Sequence, residues 1–175
     1  MAKHFEFTGD ERMFEGVTVH RIRALVDLPE LNVVAGDVGG WVELEDNLAE
    51  SAWVMDEAVV CQDARVMDSA VVSGSAVVSG QAQVRGKAKV NGSVTITDNA
   101  QVRDDVEISG KVKFLGNAQV FGSALISGSC RIEDDAQVFE HAELYGRVRV
   151  KDRAQVHGSA VVYGKVKIKG KSNVH

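Results

Sequence analysis

The hydrophobic pattern has a period of six residues over most of the chain. An aliphatic or aromatic residue occupies every sixth position from Val54 to Val174, which makes 21 consecutive positions without an insertion. Two residues before each of them lies Ala, Val or Cys, except for Ser172. Two residues after the first 20 of them lies Gly at 12 positions and Asp at six, and the two exceptions are Gln62 and Glu140. The repeating unit is therefore x-A-x-V-x-G.

This pattern predicts short β-strands joined by tight corners. The small and aliphatic positions share one parity, so they face one side of an extended chain. A helical period of 3.6 residues would scatter them around the helix, and frequent Val and Gly disfavour helix. Gly and Asp tolerate the bent or left-handed backbone that a corner requires. Strands and corners in such regular succession are typical of a solenoid.

The outward positions predict three hexads per coil, because glutamine recurs there every 18 residues. At the strand spacing of about 4.8 Å, stacked amides can form hydrogen bonds between coils. The amide row consists of Gln83, Gln101, Gln119, Gln137, Gln155 and Asn173. We therefore predict an all-β, single-stranded parallel β-helix of triangular cross-section. It takes up residues 52–175 in about seven coils, and residues 1–51 form a small β-rich N-terminal cap.

Other outward rows carry further candidate binding residues. The same step aligns a row of cations that is a candidate anion-binding site, namely Lys113, Arg131, Arg149 and Lys167. Beside the amides runs a second row, Met67, Arg85, Arg103, Phe121, Phe139, His157 and His175. Adjacent exposed aromatics are typical of a protein contact, so we expect a subunit interface at Phe121 and Phe139. The alternative is that the amides only hold their own coils together and the rings lie on the solvated surface. Tyr145 and Tyr163 form another aromatic pair on a neighbouring wall.

Composition and charge narrow the functional classes. The 175 residues, 45% of them hydrophobic, can form a soluble folded domain, and no apolar run is long enough to cross a bilayer. The start of the chain lacks the pattern of a signal peptide, so we expect a cytoplasmic protein without a membrane partner. Two cysteines without ligand spacing predict neither a disulfide framework nor a metal site. The net charge of −5 and the lack of aromatics between the cations disfavour nucleic acid.

The hexads resemble those of a known superfamily. In the trimeric LpxA-like acyltransferases of the hexapeptide-repeat type, an aliphatic residue is followed four positions later by a small one, as Val84 is by Ala88. The segment AGDVGGWVELEDNLAESAWVMDEA, residues 35–58, resembles more specifically the YdcK-like group of enterobacteria and their phages, which is labelled as acetyltransferases. The residues that carry this likeness are Gly39, Gly40, Trp41, Asn47, Leu48, Trp53 and Val54.

The resemblance implies a left-handed β-helix, a homotrimer, and ligands bound between subunits. An enzyme of this type would be an O- or N-acetyltransferase that uses acetyl-CoA, and His157 and His141 would be its candidate bases. In the lipid A branch the catalytic histidine stands two residues after an aliphatic position, and other branches insert a long loop between coils. This chain has neither feature, since every such position holds Gly, Asp, Gln62 or Glu140 and the repeat has no insertion.

Two functional hypotheses follow. The first is a non-catalytic binding or structural scaffold without a cofactor, with a phage origin as one interpretation. Such a scaffold would present an outer wall or an intersubunit groove to a protein or to a small anionic ligand such as a nucleotide. The alternative is an acetyl-CoA-dependent acyltransferase whose site lies between subunits. A general base needs a partner that orients it and a pocket that holds the substrate, and the sequence identifies neither.

Overall fold

The computed structural model describes residues 3–175, and this part of the chain consists of β-strands, turns and two short 3₁₀ helices without any α-helix. The strands are β1 (Phe5–Phe14), β2 (Val17–Ala24), β3 (Val38–Val42), β4 (Trp53–Val54), β5 (Val59–Val60), β6 (Arg65–Val66), β7 (Val71–Val72), β8 (Val77–Val78), β9 (Gln83–Val84), β10 (Lys89–Gly92), β11 (Thr95–Ile96), β12 (Gln101–Val102), β13 (Glu107–Gly110), β14 (Lys113–Phe114), β15 (Gln119–Val120), β16 (Leu125–Gly128), β17 (Arg131–Ile132), β18 (Gln137–Val138), β19 (Glu143–Val150), β20 (Gln155–Val156), β21 (Val161–Ile168) and β22 (Asn173–Val174). The 3₁₀ helices are Pro29–Leu31 and Glu45–Asn47. Among the described residues, no helix has the length and apolar character needed to span a bilayer.

The hexads wind into a left-handed triangular β-helix, which confirms the predicted architecture. Each strand pairs in parallel with the strand 18 residues later, as Gln101 does with Gln119. The amide wall consists of β6, β9, β12, β15, β18, β20 and β22. The basic wall consists of β3, β5, β8, β11, β14, β17 and the second halves of β19 and β21. The tyrosine wall consists of β4, β7, β10, β13, β16 and the first halves of β19 and β21.

The corners and the core follow the hexad pattern. All 20 predicted corner residues, Gly or not, have a positive φ, between +56° and +101°. The inward residues from Ala52 to Val156 are at most 2% exposed. Side chains of one parity therefore fill a slim interior, and the other parity is left to form the three outer walls. Many of these outer residues are half-buried by their neighbours one coil away.

The N-terminal strands form an antiparallel extension of the basic wall. The β1–β2 hairpin pairs through β2 with β3, and β3 is the first strand of the parallel stack on this wall. Val19 of the hairpin packs on Val59 and on Cys61, which is only 1% exposed. Cys61 holds an outward position of its hexad, so its burial was not predicted by the repeat and results from the hairpin that covers it.

The segment before the first full coil is shaped by close backbone contacts. A Cβ on Gly39 would lie 2.6 Å from the Val54 carbonyl oxygen, and a Cβ on Gly40 would lie 2.7 Å from the Ala58 carbonyl oxygen. Only glycine fits at these two positions because β3 lies directly on the first coil. The neighbouring Asn47 is buried and makes three hydrogen bonds, accepting from Leu44 N–H and donating to the carbonyls of residues 62 and 64. These contacts give a structural reason for Gly39, Gly40 and Asn47 in the two motifs.

Candidate functional site

The predicted amide row lies in register along the amide wall. The five glutamines and Asn173 pair coil by coil without a register shift, and the glutamine side chains are half-buried. Among the described residues, one amide–amide hydrogen bond links this row, from Gln155 Nε2 to Gln137 Oε1 at 2.9 Å. The row is thus a continuous band of amides, half-buried at the five glutamines, with a single amide–amide hydrogen bond among the described residues.

A continuous stack of planar side chains runs beside the amides. This aromatic ladder consists of Arg103, Phe121, Phe139, His157 and His175. The Phe121 and Phe139 ring centroids are 4.9 Å apart, those of Phe139 and His157 are 4.8 Å apart, and both pairs are within 7° of parallel. The Arg103 guanidinium lies 4.1 Å from the Phe121 centroid, and His175 stacks on His157 at 5.7 Å. The rings stand on the wall with their faces along the rod axis and their edges toward solvent.

Each ring nitrogen of His157 faces an oxygen atom. Its Nε2 lies 2.5 Å from Asn173 Oδ1, and its Nδ1 lies 3.7 Å from Glu140 Oε2. The same carboxylate oxygen of Glu140 accepts a hydrogen bond from Gly158 N–H at 2.7 Å. The imidazole is therefore held in the ladder between two oxygen atoms. The other histidine candidate, His141, is exposed next to the corner.

The cation row of the basic wall contains a buried carboxylate. Lys113, Arg131, Arg149 and Lys167 are paired coil by coil in one column, and all four are exposed. Glu133 is only 6% exposed and lies between the two arginines. Its Oε1 contacts Arg131 Nε, and its Oε2 accepts from Arg149 Nε at 2.7 Å. The single carboxylate of Glu133 thus forms ion pairs with both Arg131 and Arg149, the two central cations of the predicted anion-binding row.

The remaining predicted site residues lie apart from these clusters. Tyr145 and Tyr163 occupy adjacent coils of the tyrosine wall, and Tyr163 is 75% exposed. The Tyr145 hydroxyl donates to Glu143 Oε2 at 2.6 Å, which raises the pKa of Tyr145. Arg85 is exposed on the amide wall, one coil before Arg103.

The corners carry a second ladder that the repeat did not reveal. Each of the eight corner side chains other than glycine in residues 52–175 accepts a hydrogen bond from the backbone N–H one coil later. The acceptors are Asp56, Gln62, Asp68, Asp98, Asp104, Asp134, Glu140 and Asp152. A corner N–H has no carbonyl partner within the turn, so a side-chain oxygen from the preceding coil satisfies it. The bond from Gly170 N–H, with help from Lys151, lowers the pKa of Asp152.

Surface clefts lie near the cap and along the tyrosine wall. One cleft of about 220 Å³ is lined by the Pro29 turn and Ser69, and an adjoining cleft of about 350 Å³ continues to Lys87 and Lys89. Three further clefts lie near Lys3, Asn47 and Glu107. Neither His141 nor His157 lines any of the five clefts. The structure therefore does not combine the candidate bases with any of these five clefts.

The sequence did not predict three partners in the site. Glu133 contacts the two arginines, and Glu140 and Asn173 contact His157. A signal existed for Glu140, because it is one of two corner residues that are neither Gly nor Asp. No comparable signal marked Glu133, since outward positions accept any polar residue. The group of Arg12, Arg21 and Trp41 around Glu57 was also not predicted, because the hairpin brings it together. These contacts lower the pKa of the Glu57 carboxyl, chiefly through Arg21.

Comparisons with known proteins leave the resemblance as a prediction. No protein-family profile matches the chain, and no curated protein matches it.

Proposed function

We propose that this protein is a non-catalytic β-helical scaffold that assembles as a homotrimer through its amide wall. The observation that carries the proposal is the aromatic ladder, a flat stack of parallel rings on the outside of a regular wall. Phe121 and Phe139 are half-buried in the stack, and their remaining exposed edges would gain from burial against another protein surface. The resemblance to trimeric hexapeptide-repeat proteins favours two further copies of this chain as the partners.

The amide wall is well suited to self-association. Its two outward rows repeat every coil, so a second copy in parallel orientation would meet the same row at every level. Amide groups can donate and accept, which lets equal rows form hydrogen bonds with each other. Arg85 and Arg103 continue the same row beyond the rings, and the amides beside them could accept hydrogen bonds from their guanidinium groups across the interface. The other two walls would remain exposed and could bind a protein or a small anionic ligand.

The test is the subunit number of a double variant, Phe121→Ala with Phe139→Ala. We expect the unchanged protein to sediment as a trimer and the double variant to dissociate at micromolar concentration. The matched control is Tyr145→Ala with Tyr163→Ala, which removes two aromatics from adjacent coils of the tyrosine wall and should leave the trimer intact. Far-UV circular dichroism verifies that both variants keep the solenoid. A monomeric parent protein, or a phenylalanine variant with the parent's subunit number, would contradict the proposal.

A second candidate function, an acetyl-CoA-dependent acyltransferase, is favoured by the position of His157 beside Glu140. A carboxylate near Nδ1 is the arrangement that orients a general base. For this role Nε2 would have to leave Asn173 and face a substrate between subunits. Release of coenzyme A from acetyl-CoA by the purified protein, lost in His157→Ala and kept in His141→Ala, would support the enzyme. Absence of coenzyme A release with a range of acceptors would favour the scaffold.

A further inference from the structure

A strong positive charge lies on the second half of the basic wall. Residues 111–117, 129–135, 147–153 and 165–171 form this surface together with the corner that follows each strand, and they carry 11 Lys and Arg against four Asp and Glu. The difference is seven positive charges, on a protein whose net charge is −5. A patch of one sign on this scale draws an oppositely charged partner and speeds its approach.

Most of these cations lack a partner within the described residues. Ion pairs within 4.0 Å involve three of the 11, namely Arg131 and Arg149 with Glu133, and Lys151 with Asp152. The other eight face solvent without a carboxylate at that distance. Like charges one coil apart repel each other, so they destabilise the folded chain until an anion neutralises them.

The cations form straight columns along the rod. The register advances by 18 residues per coil without a shift from Lys113 to Lys167. Successive charges are therefore about 4.8 Å apart in a line parallel to the axis. A line of this kind fits an extended, straight polymer with regularly spaced negative charges.

The buried Glu133 prepares the centre of the column for an anion. Its Oε1 contacts Arg131 Nε, and its Oε2 contacts Nε and one terminal nitrogen of Arg149. The side chains of Arg131 and Arg149 are 47% and 44% exposed, so both remain accessible to a ligand. Because the carboxylate already restricts the two side chains, less entropy is lost when a ligand binds. A fixed guanidinium fork matches a carboxylate in two hydrogen bonds.

We propose that the basic wall binds an anionic polysaccharide of the uronic acid type, extended along the rod. Its carboxylates would contact the forks of Arg131 and Arg149 and then the ammonium groups of Lys113 and Lys167. Nucleic acid fits less well, because the outward positions of these four segments hold no aromatic side chain on which bases could stack. Binding to the basic wall needs the folded solenoid but not trimerisation through the amide wall, so a monomeric protein would still bind the polysaccharide.

The experiment measures binding of a fluorescently labelled oligogalacturonate to the full chain by anisotropy at low salt. We expect Lys113→Gln with Lys167→Gln to weaken binding roughly tenfold or more. The matched control, Lys87→Gln with Lys89→Gln, removes the same charge from the tyrosine wall and should change the affinity by less than about twofold. Arg131→Lys keeps the charge but loses the fork, and it should weaken binding several-fold. Circular dichroism verifies that each variant is folded.

Three results would overturn the proposal. Equal losses in the two lysine double variants would mean that only overall charge matters. A single-stranded oligonucleotide of the same charge that binds as tightly as the oligogalacturonate would assign the surface to nucleic acid instead. No binding of the oligogalacturonate at low salt would remove the polysaccharide altogether.

Discussion

Replacing Asp98 with alanine should destabilise the solenoid more than replacing it with glycine. Asp98 occupies a corner with φ of +60°, and its Oδ2 accepts a hydrogen bond from Gly116 N–H at 2.8 Å. Alanine keeps the Cβ in the left-handed backbone and offers no acceptor. Glycine loses the acceptor but adopts this backbone without strain. Asparagine keeps a side-chain oxygen and tolerates the left-handed region, so it is the conservative control.

The magnitude follows from these two contributions. A side chain with a Cβ but no local hydrogen bond costs about 1 kcal/mol in the left-handed region. A hydrogen bond to a carboxylate contributes about 1 kcal/mol at an exposed corner, because water competes for both groups. We therefore expect the free energy of unfolding to fall by about 2 kcal/mol in Asp98→Ala, by about 1 kcal/mol in Asp98→Gly, and by less than about 0.5 kcal/mol in Asp98→Asn.

Urea unfolding followed by far-UV circular dichroism provides the assay. The four proteins should differ in the midpoint of the transition at a common slope, since the substitutions do not change the surface that unfolding exposes. Equal midpoints for the alanine and glycine variants would refute the contribution of the left-handed backbone. A midpoint for the asparagine variant as low as that of the alanine variant would refute the contribution of the corner hydrogen bond.

Three further predictions concern buried polar groups. Burial lowers the pKa of His4, whose Nε2 contacts the Ala52 carbonyl at 3.0 Å. The unfolded chain therefore binds the extra proton at a higher pH than the folded chain does, and the free energy of unfolding should fall as the pH drops through about 6.5. His4→Gln should flatten this dependence in urea titrations between pH 7 and 5. Burial raises the pKa of Cys61 to about 11, so its thiol should react slowly with Ellman's reagent at pH 8 until denaturant is added, and prompt reaction would contradict its cover by the hairpin. Asn47→Ala should lower the free energy of unfolding by about 2–3 kcal/mol, because it leaves one buried and two partly buried backbone groups without their partner, and a thermal midpoint equal to that of the parent would exclude this.

The candidate site shows how far the sequence analysis reached. The step of 18 residues placed Gln101 over Gln119 and Phe121 over Phe139, and the structure has both pairs in adjacent coils. It could not show that the glutamine row contains one amide–amide hydrogen bond rather than a full ladder, because side-chain rotamers are free at outward positions. It also could not place Glu133 between the two arginines, since a carboxylate anywhere on a wall satisfies the repeat equally well.

The sequence by itself determined the winding of the chain: the parity of its strands, the corners at every sixth residue and the coil of 18 residues. It could do so because each coil contacts only its neighbours, so a local pattern repeated often enough defines the whole solenoid. Only the tertiary structure decided which outward side chains became buried or paired. The hairpin covers Cys61, and Asn173 and Glu140 approach His157 from neighbouring coils. These contacts join residues that are distant along the chain and lie at positions where the core imposes no choice, so no periodicity records them.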